Sequence, residues 1–121
     1  MIIGTGVDIT EVNRLRKAIE KWGDSFTKRV FTNQELVNAK TRSAYYQHLA
    51  GRFAAKEAVF KALGDKNLSW HDLQILNDKD GKPYCELIDG KKRSVDIHIS
   101  ISHVKNYAVA NAIVTKKEKH T

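Results

Sequence analysis

Val95, Ile97, Ile99 and Ile101 alternate with Asp96, His98, Ser100 and Ser102. This period of two puts the apolar side chains on one face of a β-strand and the polar ones on the other, so the strand needs a single apolar cover. The first half of the chain offers that cover, because its apolar residues recur with helical spacing instead. Val12, Leu15, Ile19 and Trp22 form a stripe that Thr10 can cap and Gly23 stops. Thr32-Asn33-Gln34-Glu35 has the capping-box pattern and opens a short helix to about Lys40. Tyr45 to Leu63, ended by Gly64, is the longest helical run. Residues 1–9 read as a strand in which Gly4 and Gly6 interrupt Ile2, Ile3, Val7 and Ile9. Further strands are expected at Leu73–Leu76, near Tyr84–Ile88 after an Asp80-Gly81 hairpin turn, and at Tyr107–Val114. Helices followed by strands predict an α+β fold, with helices packed on an antiparallel sheet. At 121 residues there is room for one domain, taken as residues 1–115, with 116–121 a polar tail.

Composition narrows the partners more than the fold. No apolar run approaches the roughly 18 residues of a membrane span, and Met1-Ile2-Ile3-Gly4 lacks the basic region and long apolar core of a signal peptide. Cys85 is the sole cysteine, so neither an intrachain disulfide nor a cysteine-based zinc site is available, and a cytoplasmic location is expected. The net charge of +7 favours an anionic partner. The excess is uneven: Arg14 to Arg42 holds eight basic and three acidic residues, a surplus of five, whereas Gly64 to Thr121 holds ten and eight.

Three places break the hydrophobic pattern. Asp8 sits between Val7 and Ile9 in a strand that looks buried, where an ionised carboxylate needs a partner, unless it lies at the strand edge and caps the next helix. In the long helix, Leu49, Phe53, Phe60 and Leu63 make one stripe; Lys56 projects into it, Glu57 borders it, and Lys61 follows Glu57 by one turn. Glu57 and Lys61 could be no more than an i,i+4 pair on a solvated face. Gly51, inside that helix, points to a close backbone approach. Third, Ser100, Ser102 and His103 gather where the alternating strand meets its turn, which is also what a solvent-facing strand edge looks like. A Ser–His nucleophile is weakly supported, having no elbow motif and no third member. Trp22 is read as core, and Trp70 is left open. Asp78-Lys79-Asp80-Gly81 lacks the closing Glu of a calcium loop and reads as a turn.

Asp8 and Glu57 are hard oxygen ligands, and Arg52, Lys61 and His103 supply positive or hydrogen-bonding groups. Carboxylates that leave coordination positions to water and phosphate oxygens suit Mg²⁺ better than zinc, and a metal flanked by cations suits phosphoryl or diphosphate chemistry.

Gly6-Val7-Asp8-Ile9, then Gly51-Arg52-Phe53-Ala54-Ala55-Lys56-Glu57-Ala58 with Lys61, then Gly81-Lys82-Pro83, then Ser100-Ile101-Ser102-His103 resemble, in order and spacing, the signature of the holo-[acyl-carrier-protein] synthases. These are small bacterial 4′-phosphopantetheinyl transferases, and the resemblance spans nearly the whole chain. It implies a 4′-phosphopantetheinyl transferase-like fold and transfer of the 4′-phosphopantetheine arm of coenzyme A to a serine of apo acyl carrier protein. Adenosine 3′,5′-bisphosphate is released, and the reaction serves fatty acid biosynthesis. Carried onto this chain, it makes Asp8 and Glu57 the Mg²⁺ ligands, Glu57 and Lys61 catalytic, and Arg52, Lys61 and His103 coenzyme A ligands, with Lys56 shaping the site or positioning Glu57. The acceptor of the serine proton stays open between Glu57, a metal-bound water and another carboxylate. The resemblance also implies a homotrimer with active sites between subunits. Acyl carrier proteins are acidic, and Arg14, Lys17 and Lys21 fall on one side of the first helix, a docking surface unless they are simply a solvated face.

Two rivals remain. A nucleic-acid-binding module would account for the charge but leaves Asp8 and Glu57 without a purpose, so no nucleic-acid partner is expected. A metal-dependent phosphohydrolase would use the same carboxylates and need no carrier.

Overall fold

The computed structural model describes residues 1–88 and 90–118. Its elements run β1 (Ile2–Glu11), α1 (Val12–Trp22), α2 (Asp24–Val30), α3 (Asn33–Lys40), α4 (Tyr45–Leu63), a 3-10 turn (Trp70–Asp72), β2 (Leu73–Asn77), β3 (Pro83–Leu87), β4 (Val95–His103) and β5 (Tyr107–Lys116). The first, last and alternating strands form an antiparallel sheet in the order β1-β5-β4, and β2 and β3 form a separate antiparallel hairpin. The α+β class expected from the sequence is therefore the one found. Asp78 closes the hairpin turn by accepting the amides of Asp80 and Lys82 on Oδ1, both at 2.9 Å.

The sheet and α4 meet through small residues. Ala54, Ala55 and Ala58 of α4 are fully buried, as are Ala108, Ala112 and Val114 on the facing side of β5. At Gly4 and Gly6 of β1 the approach is closer still, since a Cβ there would overlap the carbonyl oxygens of Ala62 and Ala58. The period of two then fixes the rest of β1. Gly4, Gly6, Asp8 and Thr10 face α4, and Ile3, Val7 and Ile9 face away. Val7 and Ile9 are 60% and 65% exposed, so the expectation that Asp8 has buried strand neighbours is corrected. The apolar side of this strand is its outer side.

Two further departures follow from α4 being central rather than amphipathic. Its expected stripe holds at Leu49, but Phe53, Phe60 and Leu63 are only half-buried, and buried residues occur all round the helix. A helix enclosed by a sheet on one side and helices and a hairpin on others has no single wet face. Trp70 is one of its covers, stacking on Phe53 (5.3 Å between ring centroids) and meeting Phe60 edge-on (5.2 Å). Trp22, expected in the core, is 58% exposed, with Lys21 Nζ 5.0 Å from its ring centroid. The chain restarts as α2 directly after Gly23, and Phe26, Thr27 and Val30 turn inward in its place. That short helix has no sequence expectation behind it. Thr10 does not cap α1; Glu11 holds the N-cap position without a side-chain bond, and the Thr10 hydroxyl donates to Asp8 Oδ2 at 2.9 Å. β5 runs to Lys116 and the Lys117 amide donates to Ser94 O, so the start of the expected tail is hydrogen-bonded; Lys119–Thr121 lie outside the described residues.

Lys56 is completely buried. Its ammonium lies 2.7 Å from Glu35 Oε1 and donates to the carbonyls of Val30 and Trp70, both at 2.9 Å. Glu35 completes the capping box by accepting the Thr32 amide on Oε1 at 2.8 Å, and its Oε2 accepts the Ile75 amide at 2.7 Å. One buried pair thus ties α2, α3, α4, the 3-10 turn and β2 together. Burial pushes the Lys56 ammonium below its ordinary pKa, and the Glu35 carboxylate opposes that shift. A lysine in an apolar stripe requires a buried counter-charge, yet sequence spacing alone does not name Glu35 as its source.

Candidate active site

Asp8 and Glu57 line one cavity of about 550 Å³, together with Thr10, Arg14, Phe53 and Tyr107. β1 delivers Asp8 on its α4-facing side, and the Thr10 hydroxyl, two residues on and so on the same face, holds Oδ2. Lys61 of α4 donates to the carbonyl of Val7 at 2.8 Å and lies 3.4 Å from Asp8 Oδ1. The cation expected to pair with Glu57 therefore reaches across to β1. Burial first, and the Asp8 charge second, raise the Glu57 carboxyl above the ordinary glutamate range, with Lys61 offsetting part of the shift. Asp8 and Glu57 are thus close enough to repel, and a cation entering beside both would relieve that repulsion. Among the described residues no third His, Cys, Asp or Glu joins them to complete a metal-ligand group. Two hard oxygens alone suit an ion that keeps water and substrate oxygens in its shell, as Mg²⁺ does, and do not suit a closed zinc site.

Arg52 and His103 lie elsewhere. They line a second cavity of about 230 Å³ with Arg42, His48 and Asn77. The sequence grouped Arg52 with Glu57, but five helical residues turn a side chain about 140° away from the starting face. Arg52 is buried, donates to Asn77 Oδ1, and its guanidinium is pushed down to about 10 by burial, leaving it charged at neutral pH. Gly51 lines this cavity too, packed against Ile101 of β4 so closely that a Cβ would lie 3.0 Å from Ile101 Cγ2. The close neighbour there is the Ile101 side chain and not another backbone. Ser100 and Ser102 are exposed on the outer sheet face, which is the solvent-facing alternative, and His103 alone of that trio reaches a cavity. Sequence reading missed Thr10, Arg42, His48 and Asn77. Only Thr10 carried a local signal, an Asp-x-Thr spacing that shares one strand face.

Arg14, Lys17 and Lys21 are exposed on α1, and Arg14 also lines the cavity of Asp8 and Glu57. Among the described residues no helix is long and apolar enough to cross a membrane.

An α+β domain with a carboxylate pair over one cavity and a basic cluster at another agrees with a single family model, the 4′-phosphopantetheinyl transferase superfamily, which matches residues 4–112. The chain belongs to that superfamily and, within it, to the holo-[acyl-carrier-protein] synthase family. A holo-[acyl-carrier-protein] synthase of Protochlamydia amoebophila is 46% identical over 119 residues, covering 93% of this chain and 98% of the relative. One from Clostridium tetani is 43% identical, covering 94% and 96%. A crystal structure of the Bacillus anthracis holo-(acyl-carrier-protein) synthase, in complex with CoA (3′,5′-ADP), superposes with a TM-score of 0.84 at 38% identity, covering 98% of this chain and 99% of that one. The Helicobacter pylori enzyme in complex with coenzyme A gives 0.81 at 29% identity, covering 92% and 99%.

Proposed function

We propose that this chain transfers the 4′-phosphopantetheine arm of coenzyme A to a serine hydroxyl of an apo acyl carrier protein. Adenosine 3′,5′-bisphosphate is released, in the cytoplasm and in the service of fatty acid biosynthesis. The observation that carries this reading is the convergence of Asp8, Glu57 and Arg14 on one cavity with Lys61 paired to Asp8 at its edge. Asp8 and Glu57 hold Mg²⁺, which supplies charge neutralisation on the diphosphate oxygens when bound. The serine oxygen forms a bond to the phosphorus next to the pantetheine and gives its proton to a carboxylate of the cavity or to solvent, while the bond from that phosphorus to the bridging oxygen breaks, leaving the charge on the departing bisphosphate. Lys61, with its side chain about half exposed, is placed to neutralise that charge as it develops. Asp8 and Glu57 are both partly buried, and Phe53 forms an apolar wall of the cavity beside them.

The active site is shared between copies. Coenzyme A carries a diphosphate at one end of its nucleotide and a further phosphate on the ribose, and the two cavities of one chain divide the groups suited to them. The outer face of β1 and β5 supports a homotrimer, because Ile3, Val7, Ile9 and Val109 form an exposed apolar surface of a kind monomers seldom leave open. The Asp8 side of one copy then meets the Arg52 and His103 side of the next. Co-refolding Asp8→Asn with Arg52→Ala chains checks this. Half of the copies keep each functional side, so about a quarter of the sites have both and that share of activity returns; no recovery means the site lies within one chain.

The carrier docks on α1, where Arg14, Lys17 and Lys21 present one-signed charge beside the cavity. Arg14→Glu should raise KM for the carrier roughly tenfold at low salt, an effect that shrinks as added salt screens the charge. Unaltered carrier kinetics would remove Arg14 from the docking surface.

A further inference from the structure

The small basic cavity contains one group that the transfer reaction leaves without a role. His48 lies one turn before Arg52 on α4 and lines the same cavity. Its Nε2 is buried with no hydrogen-bond partner, the only side-chain nitrogen or oxygen in that condition among the described residues. Buried polar atoms are nearly always partnered, so an orphan beside a cavity points to a ligand that completes it. The charged and titratable groups facing this imidazole are all basic: Arg42 from the segment before α4, Arg52 on α4, and His103 at the end of β4. Asn77, the uncharged polar neighbour, already accepts from Arg52. Burial first, then Arg52, Arg42 and His103, push the imidazole down to about 4, so it is neutral in the free chain near pH 7. At about 230 Å³ the cavity falls below the size of a whole cofactor site but admits one tetrahedral anion.

We propose that His48 is an additional ligand of a phosphate group held in this cavity, and that it takes up a proton as the anion enters. The proposal rests on the reading that coenzyme A is the substrate, and adds to it a binding residue and a proton linkage. An anion among Arg42, Arg52 and His103 reverses the field at the imidazole from repulsive to attractive, and a protonated imidazole gains a second N–H to donate. Binding therefore raises the His48 pKa. The sign follows: between the free and bound values, affinity strengthens as pH falls, by at most tenfold per pH unit for one proton, and above the bound value His48 protonation adds nothing. A phosphomonoester itself gains a proton near pH 6, which weakens binding equally in a chain lacking the histidine. Comparison with His48→Gln, which preserves helix propensity, isolates the imidazole.

The test is calorimetric titration of the full chain with coenzyme A and with dephospho-coenzyme A. It is run at pH 6 and pH 8 in buffers of different ionisation enthalpy, with Mg²⁺ present throughout. Wild type should take up part of a proton at pH 6 and none at pH 8, and its affinity advantage over His48→Gln should grow by about three- to tenfold between pH 8 and pH 6. Imidazole ¹⁵N shifts of His48 in the unmodified chain should move to the imidazolium pattern at pH 6 when coenzyme A is added. Loss of uptake with dephospho-coenzyme A assigns the cavity to the ribose phosphate, and its retention assigns it to the diphosphate. Equal proton uptake in wild type and His48→Gln, or a His48 ring that stays neutral in the complex, overturns the proposal. Coenzyme A affinity unaffected by Arg52→Ala would instead overturn the reading of this cavity as part of the coenzyme site.

Discussion

Glu57→Gln should lower kcat for carrier modification by about 10²- to 10³-fold, the loss of roughly 3–4 kcal/mol of charge stabilisation in the transition state. The substitution keeps the shape and removes the negative charge. A neutral amide removes the Glu57 anion beside Asp8, which Lys61 already engages, and leaves Asp8 and Glu11 as the acids lining this cavity. Folding should be untouched, because Glu57 lines the cavity and is only partly buried, and its carboxyl is raised first by that burial and second by the Asp8 charge. Removing that repulsion leaves thermal stability equal or slightly higher. Steady-state kinetics with a thermal melt separate the two effects. Full activity in Glu57→Gln would remove Glu57 from the metal site and reopen the choice of chemistry.

A large effect of the opposite kind is expected at Lys56, next in sequence to Glu57 but facing the interior. Lys56→Met leaves the Glu35 carboxylate buried without its cation, and breaking such a pair costs about 3–5 kcal/mol. For a domain of this size that corresponds to a fall in Tm of roughly 12–20 °C. Adding Glu35→Gln removes the orphaned charge while keeping an oxygen for one of the two backbone amides that Glu35 accepts. The double variant should therefore recover about 1–2 kcal/mol of the single variant's loss. Additive losses would show that the two charges act separately, and a Lys56→Met chain within about 1 kcal/mol of wild type would remove the pair from the account of stability. The Lys56–Glu35 pair also reaches beyond its own helix. It anchors α4 to α2, α3, β2 and the 3-10 turn, and so fixes the rotation of the helix that carries Glu57 and Lys61.

What could be read from the sequence follows the range of each signal. The Val95–Ser102 alternation, the Thr32–Glu35 box and the Gly64 stop are local, and each appears in the structure. Asp8 and Glu57 were legible as misfits because an acid among apolar residues asks for an explanation, and both line one cavity. The facing of β1 was not legible, since Ile3, Val7 and Ile9 suggest a buried side. Only the contact of Gly4 and Gly6 with the carbonyls of α4 shows that the glycines point inward. Trp22 failed for a related reason: a helical stripe names a face, but the restart of the chain at Asp24 supplied Phe26 and Val30 to the core and left Trp22 outside. The separation of Arg52 from Glu57 is the helical period itself, overlooked because the two residues lie in one motif. Arg42, Asn77 and His103 come together from positions up to 61 residues apart, and no spacing rule reaches that far.

The most direct test of the central claim is the intact mass of an apo acyl carrier protein after incubation with this chain, coenzyme A and Mg²⁺, beside a sample containing EDTA. The account predicts a gain of one phosphopantetheine group in the first sample and none in the second. An unmodified carrier, with the chain folded and a known transferase active on the same carrier preparation, would contradict it.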